Sequence, residues 1–312
     1  MTTDSSNAKV MIPVDVETAI NALIATGSTK ISRKVDLDSD PRFTRKSVNT
    51  AKTAICLDVE TTGLNYTVDK AIEVGIVAFE FDPDTADIIR VVDRYSGFED
   101  PCRPITAEIT ALTGITDEMV RGKFFDDGRV NHLANTASLV IAHNAGFDRK
   151  FVEERFPSFN KLPWACSIEQ IDWKNENFST RTLEYLLFKF GLFVDAHRAL
   201  NDAEGVLGIL LGKLPVSNRL VFRSLLDRHL DETTKIWAVG APFDKKDLLK
   251  QRNYRWNDGT DGRSKAWWTT IPCCQEKDEL CWLAKEIYQD GKITDVEVFR
   301  VSAQDRFSVR ER

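Results

Sequence analysis

The stretch ICLDVETTGL, residues 55–64, decides how this chain is read. Thr53 to Val59 is a short apolar run with β-branched residues, bounded by a Thr61-Thr62-Gly63 turn, which is the pattern of a buried strand. Side chains at i and i+2 of a strand share a face. Asp58 and Glu60 therefore project together at the strand's C-terminal end. Two carboxylates that close repel unless a cation sits between them. Mg2+ commonly takes one or two carboxylates plus substrate phosphate and water. Taken alone, the pair reads more simply as a solvated strand end.

Two further motifs change that balance. In VIAHNAGFD, Ser138 to Ala142 reads as a second buried strand. Asn144 can cap a helix whose apolar positions include Phe147, Phe151, Val152 and Phe156. Asp148 then lies in that helix's first turn, where it either faces the strand end or simply complements the helix dipole. In HRALND, a helix starts near Arg198, because Leu200, Ala203, Leu207, Leu210 and Leu214 have helical spacing. Residues five apart on a helix are separated by roughly 140°. His197 and Asp202 can share a site only if His197 sits on the preceding loop, a suitable place for a general base.

In order and chemistry the three motifs resemble the DEDDh class of DnaQ-like 3'–5' exonucleases, the family of bacterial polymerase proofreading subunits. Thr61-Thr62-Gly63-Leu64, HNAGFD, HRALNDAE and the connector ALTGITDEM within Ile105 to Met119 carry the likeness, which covers about residues 50 to 215. It implies a ribonuclease-H-like α/β fold: a mixed five-stranded sheet with helices on both faces. It also implies catalysis by Asp58, Glu60, Asp148, His197 and Asp202 with two divalent cations, Mg2+ or Mn2+. By the same resemblance, Asp58, Glu60 and Asp202 hold one ion, Asp58 bridges to a second, and Asp148 supports that second ion. Neutral His197 takes the proton from the attacking water. Thr61, Thr62, Gly63, Leu64, His143, Asn144 and Phe147 become candidates for substrate binding. Leu64 and Phe147 either wedge against the terminal bases or pack in the core.

Composition agrees. At 312 residues the chain suits one or two domains. The net charge of −6 does not exclude nucleic acid, which needs only a local basic face. The opening MTTDSSNAKVMIP lacks a signal-peptide pattern, and no run of apolar residues approaches a membrane span. Six cysteines without metal-finger spacing suit a reducing cytoplasm.

Four regions are expected. Residues 1–50 form an N-terminal extension with one amphipathic segment, Val16 to Ile24, followed by a polar, basic stretch. Residues 51–215 form the nuclease domain. There, Ala71 to Asp82 and Asp87 to Phe98 are strands joined by an Asp82-Pro83-Asp84 turn, and helices follow from Thr116, Asp148, Arg181 and Arg198. Residues 216–232 form a connecting helix, Val216 to Leu230. Residues 233–312 form a small α+β module with five of the seven tryptophans and a net charge of +2 against −8 for the rest. Its strands are expected at Lys235 to Val239, Tyr254 to Trp256, Ala266 to Thr270 and Val296 to Ser302, its helices at Asp244 to Gln251 and Lys277 to Tyr288. An Asp-Gly-Thr-Asp-Gly turn closes the Tyr254–Thr270 hairpin. Aromatics interleaved with cations can grip single strands; equally, they fill a small core.

The expected function is 3'–5' exonucleolytic release of nucleoside 5'-monophosphates from single-stranded 3' ends, on DNA. An exoribonuclease of the same fold is the alternative within enzymes, since a 2'-hydroxyl pocket is not legible in sequence. A polymerase-associated binding subunit is the alternative outside them. Partners to expect are nucleic acid and a DNA polymerase or repair protein, with no membrane.

Overall fold

The computed structural model describes residues 15–46, 48–260, 262–288 and 293–311. The opening MTTDSSNAKVMIP and Asp261 of the expected turn lie outside them. The strands of the N-terminal two-thirds are β1 (Arg33–Lys34), β2 (Lys52–Thr61), β3 (Ala71–Phe81), β4 (Ile88–Phe98), β5 (Leu139–Ala142), β6 (Trp164–Cys166) and β7 (Leu192–Phe193). Five of them form one sheet in the order β4-β3-β2-β5-β6. The β2–β3 and β3–β4 pairs are antiparallel, whereas β5 lies parallel to β2 and β6 parallel to β5. The Asp82 turn closes β3 onto β4, with Ala86 N donating to Asp82 O at 2.8 Å and Asp84 N donating to Asp82 Oδ1 at 2.9 Å.

Helices cover both faces, as expected of the ribonuclease-H-like fold. The helices described in this region are α1 (Val16–Ala25), α2 (Ala107–Thr113), α3 (Asp117–Val120), α4 (Asp127–Thr136), α5 (Ala145–Arg155), α6 (Leu183–Lys189), α7 (Ala199–Leu210) and α8 (Val221–His229). The two faces of β2 divide the core by residue parity. Ala54 and Cys56 join Val77 and Phe79 against Ala203, Val206 and Leu207 of α7. Ile55, Leu57 and Val59 join Val74 and Ile76 against Phe151 and Val152 of α5. Asp58 and Glu60 continue the even-numbered row, so they face the side of the sheet that α7 covers.

Several boundaries differ from expectation. Residues 33–46 belong to the nuclease domain: β1 pairs with β7, and Leu37 and Phe43 are buried in the α7-side core. Among the described residues ahead of β1, helix α1 has no buried residue. The helix expected from Thr116 is a single turn, α3, and α6 starts at Leu183 behind Thr182. The connecting helix begins late, at Val221, because Leu214 N donates to Arg219 O at 2.8 Å and closes a turn.

The C-terminal module contains β8 (Thr233–Ala238), α9 (Lys246–Gln251), β9 (Arg255–Trp256), β10 (Trp267–Pro272), α10 (Glu276–Trp282) and β11 (Glu297–Val301), with its sheet ordered β11-β8-β10-β9. The expected Lys277–Tyr288 helix widens into a π-helical turn at Leu283–Ile287. Trp237 and Trp267 are buried; Trp267 packs with Ile236, Leu249, Tyr254 and Leu283 in the module's interior, while Trp237 packs on Trp268 with ring centroids 5.8 Å apart. Trp256, on the edge strand, is half exposed.

The module does not end where it was expected to. After β11 the chain returns to the nuclease domain. Trp164 N donates to Ala303 O at 3.1 Å. The fully buried Arg149 guanidinium donates to Arg306 O at 2.6 Å and to Gln304 O, and pairs with Glu153 at 2.7 Å. Among the described residues, no helix is long and apolar enough to cross a membrane.

Candidate active site

β2 presents Asp58 and Glu60 on one face at its C-terminal end, and α7 lies against that face. Register and a glycine make this approach close. Asp58 is paired across the sheet with Gly75, and Glu60 with Glu73. A Cβ on Gly75 would come within 2.1 Å of Leu200 N and 2.2 Å of the Ala199 carbonyl carbon. Only glycine lets the start of α7 sit this near the strand. Asp202, in the first turn of α7, thereby meets the β2 pair. Carboxylate oxygens of Asp58, Glu60 and Asp202 all lie within 4.8 Å of one another, and each of the three is at least partly buried.

Asp148 arrives from the opposite face. It is buried in the first turn of α5, and Val59 N donates to its Oδ1 at 3.3 Å. The three motifs thus converge, but as a cluster of three carboxylates with the fourth behind the strand end. Asn144 precedes α5 in a left-handed conformation (φ 86°) and makes no side-chain cap bond, so the expected capping does not occur.

This arrangement is electrostatically costly without a counter-charge. Burial, then the like charges of Asp148, Asp202 and Glu60, push Asp58 well above the usual carboxylate range. Burial, then Asp202 and Glu73, raise Glu60 to about 7. Burial raises Asp202 to about 6, against the opposing hydrogen bond from the His197 amide. Burial also pushes Asp148 up. Four carboxylates that resist ionising together, with all-oxygen donors, fit hard divalent cations.

His197 sits before α7 with a left-handed backbone (φ 63°), an unusual state for a residue with a side chain. Its amide donates to Asp202 Oδ2 at 2.9 Å, and the next amide, of Arg198, donates to the same oxygen at 3.2 Å. The backbone therefore turns sharply out of the helix, as the five-residue spacing required, and leaves His197 partly buried.

The candidate substrate residues divide into two groups. Leu64 is 87% exposed, and with Asn144 and Phe147 it lines a cleft of about 360 Å³. Asn65, Tyr66, Gly146, Lys150 and Phe151 complete the lining; Tyr66 and Lys150 escaped the sequence reading because no motif contains them. Phe147 also packs on Phe151, with ring centroids 5.0 Å apart. Thr61, Thr62 and Gly63 instead shape the loop that carries Leu64. Thr61 Oγ1 donates to Gly63 O at 2.6 Å, Thr62 Oγ1 accepts from Lys70 N at 3.0 Å, and Arg103 bonds both Thr62 and Asp69. His143 is already engaged: Nδ1 meets Ser167 Oγ at 2.7 Å and Nε2 meets Arg181 O at 2.8 Å. Burial lowers it to about 4, so it is a neutral strut with neither nitrogen left for a ligand.

Residues 55–210 match the family model described as Exonuclease, RNase T. The chain is 32% identical over 167 residues to a DNA polymerase III PolC-type of Halalkalibacterium halodurans, covering 51% of this chain and 11% of that one. It is 26% identical over 206 residues to the PolC-type polymerase of Thermotoga maritima, covering 61% and 14%. The chain thus spans about a tenth of the length of these relatives. Among solved structures, Exonuclease X in complex with 5' overhanging duplex DNA aligns with a TM-score of 0.42 at 23% identity, over 56% of this chain and 99% of that one. The zinc-bound E. coli ExoI–ssDNA complex aligns with a TM-score of 0.46 at 14% identity, over 71% and 63%.

Proposed function

Since the chain belongs to the RNase T exonuclease family, we propose that it removes nucleotides one at a time from single-stranded 3' ends of DNA, releasing nucleoside 5'-monophosphates. The observation that carries this reading is the convergence of Asp58, Glu60 and Asp202 from β2 and α7, with Asp148 behind them.

The donor set suits divalent cations, Mg2+ or Mn2+, which Asp58, Glu60, Asp202 and Asp148 would hold. When bound, they would neutralise the scissile phosphate and stabilise charge on the attacking and leaving oxygens. The chain's own groups do the rest. His197, turned out on its loop, accepts the proton of the attacking water. Asp202 fixes that loop through two amides while its carboxylate also belongs to the cluster. Leu64 meets the terminal base from one side of the cleft and Phe147 from the other, which favours a free end over a continuous strand.

A time course on end-labelled single-stranded DNA, duplex DNA and RNA, each with Mg2+ or Mn2+, tests the reading. Mononucleotides should appear from the 3' end of single-stranded DNA fastest, and a circular single strand should resist. Opening of circles overturns the exonuclease assignment, and faster loss of RNA moves the substrate to RNA. Because the matching segment of the relatives lies inside PolC-type polymerases, a DNA polymerase is the first protein partner to test by co-purification, ahead of repair proteins.

A further inference from the structure

The nuclease site contains a fifth carboxylate that is not part of the cluster. Glu73 is fully buried on β3, directly opposite Glu60. A buried acid beside the like charge of Glu60 needs partners, and both of its oxygens are spent on the chain that follows His197. Arg198 Nε donates to Oε1 and Oε2 at 3.3 and 3.2 Å, and its terminal nitrogen donates to Oε1 at 3.0 Å. Ala199 N donates to Oε2 at 3.2 Å. The Arg198 guanidinium also lies over the Phe98 ring, 5.3 Å from its centroid, which fixes the other side of the side chain.

Three consecutive amides, of His197, Arg198 and Ala199, are therefore held by two carboxylates, Asp202 for the first two and Glu73 for the third. Two positions along the same face of β3, Gly75 leaves the gap into which the start of α7 fits. His197 is held at φ 63° between these fixed points. Such a backbone persists only where its surroundings over-determine it.

We propose that Glu73 is the positioning residue of the proposed general base: it anchors the chain after His197 and so fixes where the imidazole stands, without itself touching substrate or cation. This rests on the exonuclease reading above. Glu73 has no oxygen left for a cation, which separates it chemically from Asp58, Glu60 and Asp202 although it is their neighbour.

The test compares Glu73→Gln, His197→Ala and the double variant in the full chain. Glutamine keeps an acceptor for the Ala199 amide but cannot pair with Arg198, and its near-identical volume preserves packing. Turnover of Glu73→Gln should fall about 10- to 100-fold, the scale of a catalytic group displaced by about 1 Å, with KM and Mn2+ affinity within about twofold of the parent, since the cation and substrate contacts are untouched. In the His197→Ala background the same change should cost less than about twofold, because the group it positions is gone. Amide hydrogen exchange, which needs no turnover, should quicken about tenfold at His197 to Ala199 while Val206 to Leu210 stay as protected as before. Equal losses in both backgrounds, unchanged turnover, weakened Mn2+ binding, or exchange that is unaltered at 197–199 each overturn the proposal. If the parent protein degrades no substrate, the exonuclease reading fails, while the exchange measurement still decides whether Glu73 holds the His197 loop.

Discussion

Ending the chain at Ser302 should destabilise the nuclease domain, although the residues removed lie beyond the C-terminal module's last strand. The loss centres on Arg149. Its guanidinium is fully buried, and of its backbone acceptors the Arg306 carbonyl at 2.6 Å and that of Gln304 are close, while the Ala303 and Leu162 carbonyls stand at 3.4 and 3.5 Å. Truncation removes both close acceptors and also the Arg310–Glu153 pair at 2.8 Å. Hydrogen bonds to a charged group contribute roughly 1.5–3 kcal/mol each. Water admitted by the missing tail offsets part of the loss. Arg149 keeps its pair with Glu153 at 2.7 Å, so the lost bonds leave about 2–4 kcal/mol. For a unit of this size it corresponds to a melting point lower by roughly 4–16 °C. Urea unfolding of the full chain, the truncated chain, Arg149→Met and the combination measures it as a cycle. The truncation should cost at least about 1.5 kcal/mol less in the Arg149→Met background, by the hydrogen bonds no longer at stake. A truncation cost under about 1 kcal/mol, or the same cost in both backgrounds, refutes the reasoning. Because Asp148 adjoins Arg149 on α5, the truncated chain should also lose activity on short substrates, where a merely auxiliary module would leave it unchanged.

Other outcomes follow from the site. Asp58→Ala or Asp202→Ala should abolish hydrolysis, as should excess chelator, while the variants stay folded; activity surviving in either removes the metal assignment. His197→Ala should lower turnover by roughly 10²–10⁴-fold and leave Mn2+ affinity unchanged by titration. Glu60, at about 7 in the folded chain, binds a proton there that it gives up in the unfolded chain above roughly pH 4.3. The stability it contributes is therefore present at low pH and lost as pH rises through 7. In chelator, Glu60→Gln should melt with the parent at pH 4 and above it at pH 8. The comparison cancels His143, whose lowered value works in the opposite direction. A gap that does not widen with pH would mean Glu60 is not under strain. Leu64→Ala should raise KM on single strands with no change in melting temperature, since the side chain is almost wholly exposed; an unchanged KM removes it from the substrate path.

The residues of the proposed site were legible because their spacing conflicts with their surroundings. Asp58 and Glu60 interrupt a buried strand, and His197 stands five places before Asp202, which no helix face accommodates. Each conflict pointed to a particular geometry, and the α7 approach and the left-handed His197 satisfy it. The same rule would have found Glu73 and Gly75, a charge and a glycine inside the apolar run Ala71 to Phe81. What stayed illegible is of another kind. Leu37 and Phe43 are lone apolar residues in a polar stretch, and their burial depends on a β1–β7 pairing about 160 residues apart in sequence. The tail from Ala303 offers backbone carbonyls, which every residue has, so no side-chain pattern marks it. Arg149 did carry a signal: an arginine between Asp148 and Lys150 in the helix's first turns has to be either solvated or held by a partner. Sequence periodicity cannot say which, because the partner comes from more than 150 residues away. The consequence is functional as well as structural. The helix that delivers Asp148 is bonded to residues 303–310, so the tail after the module's last strand packs with the nuclease domain.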